Sequence, residues 1–270
     1  PAAISLRIVI EGRRRNDSMV NIELPDICSS ESFSLPPTLR FRLRPRATGY
    51  GGQVGEQAAT DIAYTKSKDY FKSAVNVLCR YGFSFSRGFD CVVRSSITIQ
   101  AGTSSSSALV VGWVNFLAQM SDQATTLSQK QIAGYAHEAE VLEFDEAGGM
   151  MDQYSTAFGG VIAIDFAPEV NVEPLNCQLG TFVLGDSCEP KDTQAILARV
   201  KGTVERIVDS LNGVSLHVAT GSSIQEFRNQ LSVEECELLA GTIRNHEITE
   251  EARMILKQTP LDHKRIGALL

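Results

Sequence analysis

The stretch from residue 97 to residue 118 constrains the fold more than any other part of the sequence. It opens with β-branched residues typical of a strand, passes through a glycine and four consecutive serines, Ser104–Ser107, and ends in an apolar run typical of a buried helix. Four serines by themselves are more often part of a linker. Because a strand and an apolar helix flank them here, we predict a turn inside a folded domain.

A turn of this kind at the start of a helix predicts an anion-binding site. Backbone N–H groups and the positive end of the helix dipole converge there, which suits a phosphate group, and the hydroxyls can bind phosphate oxygens or Mg²⁺. Two other motifs do not fit, because GxxxxGK[ST] needs a Lys that is absent and GxSxG needs a Gly where Ser106 stands. The predicted anion-binding residues are Gly102, Thr103, Ser104, Ser105, Ser106, Ser107 and Ala108.

Two acidic residues follow this loop. Glu140 lies near the end of a helix that a Ser128 and Gln131 capping box should open and that should run to about residue 144. Asp152 comes just after a glycine pair. Taken alone, each acid has an explanation that involves no site, Glu140 as an exposed helix residue and Asp152 as a helix N-terminal acid. Together with an anion site they provide what phosphoryl transfer needs. One carboxylate can hold Mg²⁺ against nucleotide phosphates, and the other can orient or deprotonate the attacking hydroxyl.

These residues resemble the motifs of the GHMP small-molecule kinases, and among them those of the galactokinases. Residues 102–109 look like the family's Gly-Leu-Ser-Ser-Ser-Ala phosphate loop. Ala139-Glu140 resembles its Mg²⁺-binding Ala-Glu, and residues 149–153 resemble the Gly-x-Met-Asp-Gln stretch that carries its catalytic aspartate.

The resemblance implies an ATP-dependent kinase that transfers the γ-phosphoryl group to a hydroxyl, the anomeric one, of a small sugar. It implies that Asp152 is catalytic, that Glu140 binds Mg²⁺ with Ser104 and Ser105, and that ATP and Mg²⁺ are the cofactors. Mevalonate, a heptose or a uronic acid is the alternative substrate within the family. A catalytically silent member that binds a sugar or nucleotide is the alternative outside enzymes. The Met-Asp-Gln sequence around Asp152 favours a sugar, since mevalonate-type members more often carry Asp-Asn.

Strands and helices interleave along the chain, which predicts an α+β fold. The resemblance implies the two-domain GHMP kinase architecture. We expect an N-terminal ribosomal-protein-S5-like α/β domain over residues 1–170 and part of a C-terminal ferredoxin-like α+β domain over residues 171–270. The chain begins at Pro1, ends inside a predicted helix at 262–270, and lacks recognisable first and third family motifs. We therefore expect a piece truncated at both ends.

Several local patterns make further predictions. Alternating residues at 4–10 and 19–24 flank the polar segment 13–17 and predict a β-hairpin. A glycine-rich loop is expected at 49–55, a helix at 69–80 and a strand at 215–219. Ser232 with Glu235 predicts a capping box at the start of a further helix. Four arginines recur with period two and form either a phosphate-binding face or a solvated strand; they are Arg40, Arg42, Arg44 and Arg46.

Composition limits the partners. The net charge is −7 and the sequence pI is about 5.2, which argues against a nucleic-acid-binding or anionic-membrane surface. The most apolar run, 108–118, is too short to span a bilayer. Six cysteines occur without a CxxC pair, which suits a reducing compartment. We expect a cytoplasmic protein whose partners are a small sugar and ATP, with no nucleic acid and no membrane; a homodimer stays open.

Overall fold

The computed structural model describes residues 1–35, 61–99, 102–183, 185, 193–210 and 229–269. The arginine face at 40–46, the glycine-rich loop at 49–55 and the strand predicted at 215–219 lie outside the described residues. The elements are β1 (Ile8–Arg14), β2 (Met19–Leu24), β3 (Ser29–Ser34), α1 (Tyr70–Arg80), β4 (Phe89–Ser95), α2 (Ser105–Met120), α3 (Gln129–Glu140), α4 (Met151–Phe158), β5 (Val161–Asp165), β6 (Asn171–Leu175), α5 (Thr193–Ser210), α6 (Val233–Leu256) and α7 (His263–Leu269).

The fold is of mixed α+β class, as predicted, and the chain forms two compact units. The first contains Pro1–Gly160, and the second contains most of the chain from Val161 onward. The proposed division into domains at residue 170 stays a prediction. None of the helices in the described ranges is long and apolar enough to cross a membrane.

The first unit is built on a four-stranded sheet in the order β1-β4-β2-β3. β4 runs antiparallel to β1 and parallel to β2, and it separates the two strands that were expected to form a hairpin. The hairpin prediction is therefore wrong. The turn between β1 and β2 instead spans the start of β4, because Arg15 N donates to Gly88 O (2.8 Å) and Gly88 N donates to Asp17 O (2.6 Å).

Helices α1, α2 and α3 pack together with this sheet around one core. Alternate residues of the two central strands are buried, including Val20 and Ile22 of β2 and Phe89 of β4, as expected for strands with one face covered. Trp113 of α2 lies at the centre. Its ring packs edge-on against Phe71 (5.0 Å between centroids), and its Nε1 donates to the Phe71 carbonyl oxygen (3.0 Å), so a buried donor is satisfied.

The predicted helix starts are confirmed where the sequence offered a capping box. Ser128 caps α3 with Gln131, and Ser232 caps α6 with Glu235. The helix expected to continue from Ser128 to about residue 144 ends at Glu140, and a separate 3-10 turn covers Leu142–Phe144. The capping box therefore marked the start of the helix correctly, whereas the local pattern did not show its end.

The second unit contains the antiparallel pair β5 and β6 and the helices from α5 onward. Arg253 of α6 donates to Asp165 Oδ1 (3.1 Å) on β5 and to Glu173 Oε2 (2.8 Å) on β6. Lys257, one turn later, also pairs with Glu173 (2.7 Å). These ion pairs attach α6 to both strands, and a planar guanidinium suits two carboxylates better than a single ammonium would.

Candidate active site

The predicted anion-binding loop that begins at Gly102, which we call the serine loop, leads directly into the first turn of α2. Gly102 (φ +72°) and Ser104 (φ +56°) both adopt left-handed backbone conformations, which curl the chain just before the helix. Ser104 occupies the N-cap position, but its side chain makes no capping hydrogen bond. The capped helices α3 and α6 differ, because a serine hydroxyl satisfies their N3 amides. The first-turn N–H groups of α2 thus lack a side-chain cap and suit an anion.

Glu140, the last residue of α3, is buried beside the start of α2. Its two carboxylate oxygens accept hydrogen bonds from different elements. Ser107 Oγ of α2 donates to Oε1 (3.1 Å), and Gln153 Nε2 of α4 donates to Oε2 (2.6 Å). Gln153 Nε2 also lies 3.4 Å from Ser107 Oγ. The side chains of Ser107, Glu140 and Gln153 therefore form a closed triangle, which we call the buried triad.

The electrostatic environment of Glu140 opposes a bare negative charge. Burial raises the pKa of this carboxyl above its usual value, and hydrogen bonds from Ser106, Gln153 and Ser107 offset part of that rise. The charge of Asp152 raises the Glu140 pKa further. A buried carboxylate near a second acid is stabilised by a cation, so this is a position where a divalent ion would lower the free energy of the site.

Asp152 lies in the first turn of α4 and is half-buried. Asp152 directly precedes Gln153, so the turn of α4 that provides one member of the buried triad also carries this acid. The structure thus brings three predicted parts together in the first unit: the start of the serine loop helix, Glu140 and Asp152. Their catalytic and binding roles stay predictions.

The serines that reach Glu140 are Ser106 and Ser107. Ser104 and Ser105, which the resemblance implied as Mg²⁺ ligands, lie at the N-cap and first position of α2. Their role as metal ligands stays a prediction. The structure adds Ser107 as a neighbour of Glu140, the carboxylate predicted to bind Mg²⁺, in addition to its predicted place in the anion-binding loop.

Sequence reasoning missed Gln153. It stands next to a predicted catalytic residue, but a glutamine one residue along a helix points elsewhere, and nothing in the local pattern shows that α4 aims it at Glu140. Only the packed structure shows that Gln153 is buried, with 2% of its surface exposed.

The side chains at this site suit Mg²⁺ better than they suit a metal ion that is bound by protein ligands alone. Within the described part of the chain, three or more His, Cys, Asp or Glu side chains do not gather as potential metal ligands. Mg²⁺ is usually held by one or two carboxylates, substrate phosphates and several waters. Glu140 with neighbouring serine hydroxyls meets that description.

A pocket of about 200 Å³ opens beside the second turn of α2 in the same unit. Leu109 of α2 forms part of its wall, five residues after Ser104. The other lining residues are mostly apolar or aromatic with charged residues among them: Leu24, Ile27, Glu31, Lys68, Asp69, Tyr70 and Phe71.

Comparison with known proteins agrees with this geometry. Residues 69–160, which include α1, the serine loop, Glu140 and Asp152, match the family model described as "GHMP kinases N terminal domain". This part of the chain is therefore similar to the N-terminal domain of the GHMP kinases. No curated protein sequence gives a significant match.

Several solved structures, two of them of kinases, share the fold. A galactokinase from Lactococcus lactis in complex with galactose superposes with a TM-score of 0.71 at 15% identity, covering 100% of this chain and 66% of that one. The Lin0012 protein from Listeria innocua gives 0.54 at 15% identity, covering 91% of this chain and 70% of that one. A mevalonate kinase from Methanococcus jannaschii gives 0.50 at 13% identity, covering 94% and 71%. The chain thus shares the fold of these proteins and spans about two thirds of the length of the galactokinase.

Proposed function

We propose that this protein is an ATP-dependent kinase that phosphorylates a hydroxyl of a small sugar, in the manner of a galactokinase. One observation carries the proposal. No N-cap side chain bonds to the first amides of α2. This helix start lies in the same site as a buried carboxylate, Glu140, and a half-buried one, Asp152. Phosphoryl transfer needs an anion site, a metal-binding acid and an acid that acts on the attacking hydroxyl, and these three groups supply them.

The anion site would bind the transferring phosphates. Backbone N–H groups in the first turn of α2 point along the helix axis, and the helix dipole favours negative charge there. Such fixed donors stabilise charge on the phosphoryl oxygens without having to reorganise during the reaction. Bound Mg²⁺ would neutralise phosphate charge, with Glu140 and the hydroxyls of the serine loop as the residues that would hold it.

Asp152 is the candidate for proton transfer. It is half-buried on the first turn of α4, so a substrate hydroxyl can approach it from solvent. In the proposal it orients this hydroxyl and accepts its proton as the oxygen attacks the γ-phosphorus and the bond between this phosphorus and ADP breaks, with ADP as the leaving group.

The pocket beside Leu109 is suited to the nucleoside end of ATP. It lies one helical turn beyond the predicted phosphate loop, and its aromatic and aliphatic lining favours a flat, weakly polar base. We assign the phosphates to the serine loop and the base to this pocket.

A sugar is the preferred acceptor. The Met-Asp-Gln sequence around Asp152 and the similarity of fold to a galactokinase support it. Mevalonate is the second candidate, since a mevalonate kinase also shares the fold. The cytoplasm as the compartment, and a homodimer as the assembly, stay predictions.

A coupled assay of ADP release by the complete protein tests the proposal, with Mg·ATP and one acceptor at a time: galactose, fucose, glucuronate, a heptose or mevalonate. We expect ADP release that depends on one sugar and exceeds the rate without acceptor. A mevalonate-dependent rate would move the protein to the second candidate. Tight Mg·ATP binding without acceptor-dependent ADP release from any of the five would favour the silent binding protein and contradict the kinase.

A further inference from the structure

Gln153 holds one polar atom that the protein leaves unsatisfied. Its side chain is 2% exposed, its Nε2 donates to Glu140 Oε2 at 2.6 Å, and its carbonyl oxygen Oε1 is buried without a hydrogen-bond partner. A buried acceptor without a donor costs about 1–3 kcal/mol. The structure therefore shows a place where a donor from outside the chain would lower the free energy.

Rotation of the amide does not remove the unpaired acceptor. With nitrogen and oxygen exchanged, Oε1 would stand at 2.6 Å from Glu140 Oε2, and two acceptors at that distance repel when the carboxylate is ionised. Ser107 cannot supply the donor either, since its hydroxyl proton is directed to Glu140 Oε1. The observed orientation is thus the one that suits an ionised Glu140, and its carbonyl oxygen must find a partner elsewhere.

A water molecule bound to a divalent cation would provide this donor. Mg²⁺ keeps several of its waters when a protein binds it, and each of them is an O–H donor. Glu140 is the carboxylate proposed to hold the cation, and Gln153 contacts that same carboxylate. We propose that Gln153 is a positioning residue for the metal site, which orients Glu140 through its N–H group and accepts a hydrogen bond from a metal-bound water through Oε1.

This inference rests on the proposed function, because it assumes a cation at Glu140. It assigns Gln153 a role in metal binding that burial and packing alone would not give it. Removing a residue that hydrogen-bonds to a metal ligand and orients it typically lowers metal affinity by about 10- to 100-fold.

The test measures binding of Mn²⁺, as a stand-in for Mg²⁺, to the complete protein with ADP present, by electron paramagnetic resonance of free Mn²⁺. In Gln153→Met, which keeps the volume but loses both polar atoms, we expect affinity for Mn²⁺ about 10- to 100-fold below the parent. ADP affinity without metal should stay within about twofold of the parent.

A packing control separates this role from a structural one. Tyr154→Leu removes the neighbouring buried ring of α4, which stacks on Phe158 at 6.1 Å, and should lower the melting temperature while leaving Mn²⁺ affinity unchanged. Circular dichroism checks that each variant is folded. If Gln153→Met does not fold, Gln153→Asn replaces it, because its shorter amide withdraws from Glu140 and should weaken Mn²⁺ binding in the same direction.

Each outcome decides the inference. Mn²⁺ affinity within twofold of the parent for Gln153→Met, or for Gln153→Asn in its place, overturns the role of Gln153. If Glu140→Gln loses Mn²⁺ while Gln153→Met keeps it, the metal site of the proposed function stands and this inference fails alone. A parent that binds no Mn²⁺ with ADP overturns both.

Discussion

Buried polar side chains from three helices meet at this site. Ser107, Glu140 and Gln153 are each less than about a tenth exposed and bind one another across three helices. A second buried pair, Asp69 and Lys72, lies at the start of α1 beside the proposed base pocket. Polar groups are buried at a cost in free energy unless they are paired, so both clusters mark positions where single substitutions have large effects.

Asp152→Asn tests the proposed proton acceptor. The amide keeps the size of the side chain but cannot accept a proton, so turnover should fall by about 10²- to 10⁴-fold while the melting temperature barely changes. The measurement is the steady-state rate of ADP release with the best acceptor from the screen. Glu169→Gln, which neutralises an exposed acid after β5, is the matched control and should keep full activity. A turnover number for Asp152→Asn close to that of the parent would remove Asp152 from the proton transfer.

Asp69→Asn tests the buried ion pair. Asp69 Oδ2 accepts from Lys72 Nζ (2.8 Å) and from Thr65 N (2.9 Å), and Lys72 is itself buried. The variant leaves an unpaired buried ammonium, so we expect a loss of about 3–5 kcal/mol in the free energy of unfolding at pH 7. Urea titrations of both proteins measure it. Adding Lys72→Met to Asp69→Asn should restore part of the loss, whereas no recovery would mean that the pair is not what stabilises α1.

The same pair predicts a dependence on pH. Burial by itself raises the pKa of Asp69, but the hydrogen bonds from Lys72 and Thr65 outweigh it, and the net pKa is lowered below the usual 3.8. A lowered pKa in the folded state stabilises the fold above pH 3.8, and this contribution disappears as the pH falls through the lower folded-state value. The stability difference between parent and Asp69→Asn should therefore be constant from pH 7 to 5 and shrink only below about pH 3.8.

At the scale of elements, the turn between β1 and β2 decides the topology. The start of β4 lies inside this turn, and Gly88 is hydrogen-bonded to both Arg15 and Asp17. A Cβ added at Gly88 would stand 1.8 Å from the carbonyl oxygen of Met19, which is backbone and cannot rotate away. Only glycine fits at this point, so one residue without a side chain permits β4 to enter between the two strands.

Gly88→Ala tests this close approach. The methyl group would force β2 and β4 apart, and we expect a loss of at least about 1–3 kcal/mol, the usual range for overpacking. Chemical denaturation monitored by circular dichroism measures the change. Gly134→Ala is the control, since a Cβ there meets nothing within 4 Å and α3 should gain about 0.5–1 kcal/mol from the better helix former. Equal stability of Gly88→Ala and the parent would contradict the observed packing of β4.

At the scale of the whole molecule, ligand binding should be visible as stabilisation. If the serine loop and Glu140 bind a nucleotide with its metal, ADP and Mg²⁺ at about 100 times the dissociation constant should stabilise the folded state by about 2.7 kcal/mol. Thermal unfolding measures it as a higher melting temperature. Removing Mg²⁺ with EDTA should abolish most of the shift, because Glu140 and the phosphates then face each other without a cation. A shift of the same size with EDTA would argue that the cation does not contribute to binding.

The sequence alone determined the α+β class and the starts of several helices, and it singled out the residues of the candidate site. Apolar periodicity and capping boxes are local properties, so they placed α1, α3 and α6. The serine loop and the two acids were singled out because phosphate and Mg²⁺ call for such residue types and because their order resembles the motifs of the GHMP kinases; their roles stay predictions.

Only the tertiary structure decided which elements meet. Strand order depends on contacts between residues far apart in the chain, and β4 pairs with β1 and β2 although more than sixty residues separate it from either. The buried triad arises in the same way, because Ser107, Glu140 and Gln153 belong to three helices whose packing aims their side chains at one point. Alternation and spacing describe one segment at a time, whereas burial and hydrogen bonding between segments are properties of the folded chain.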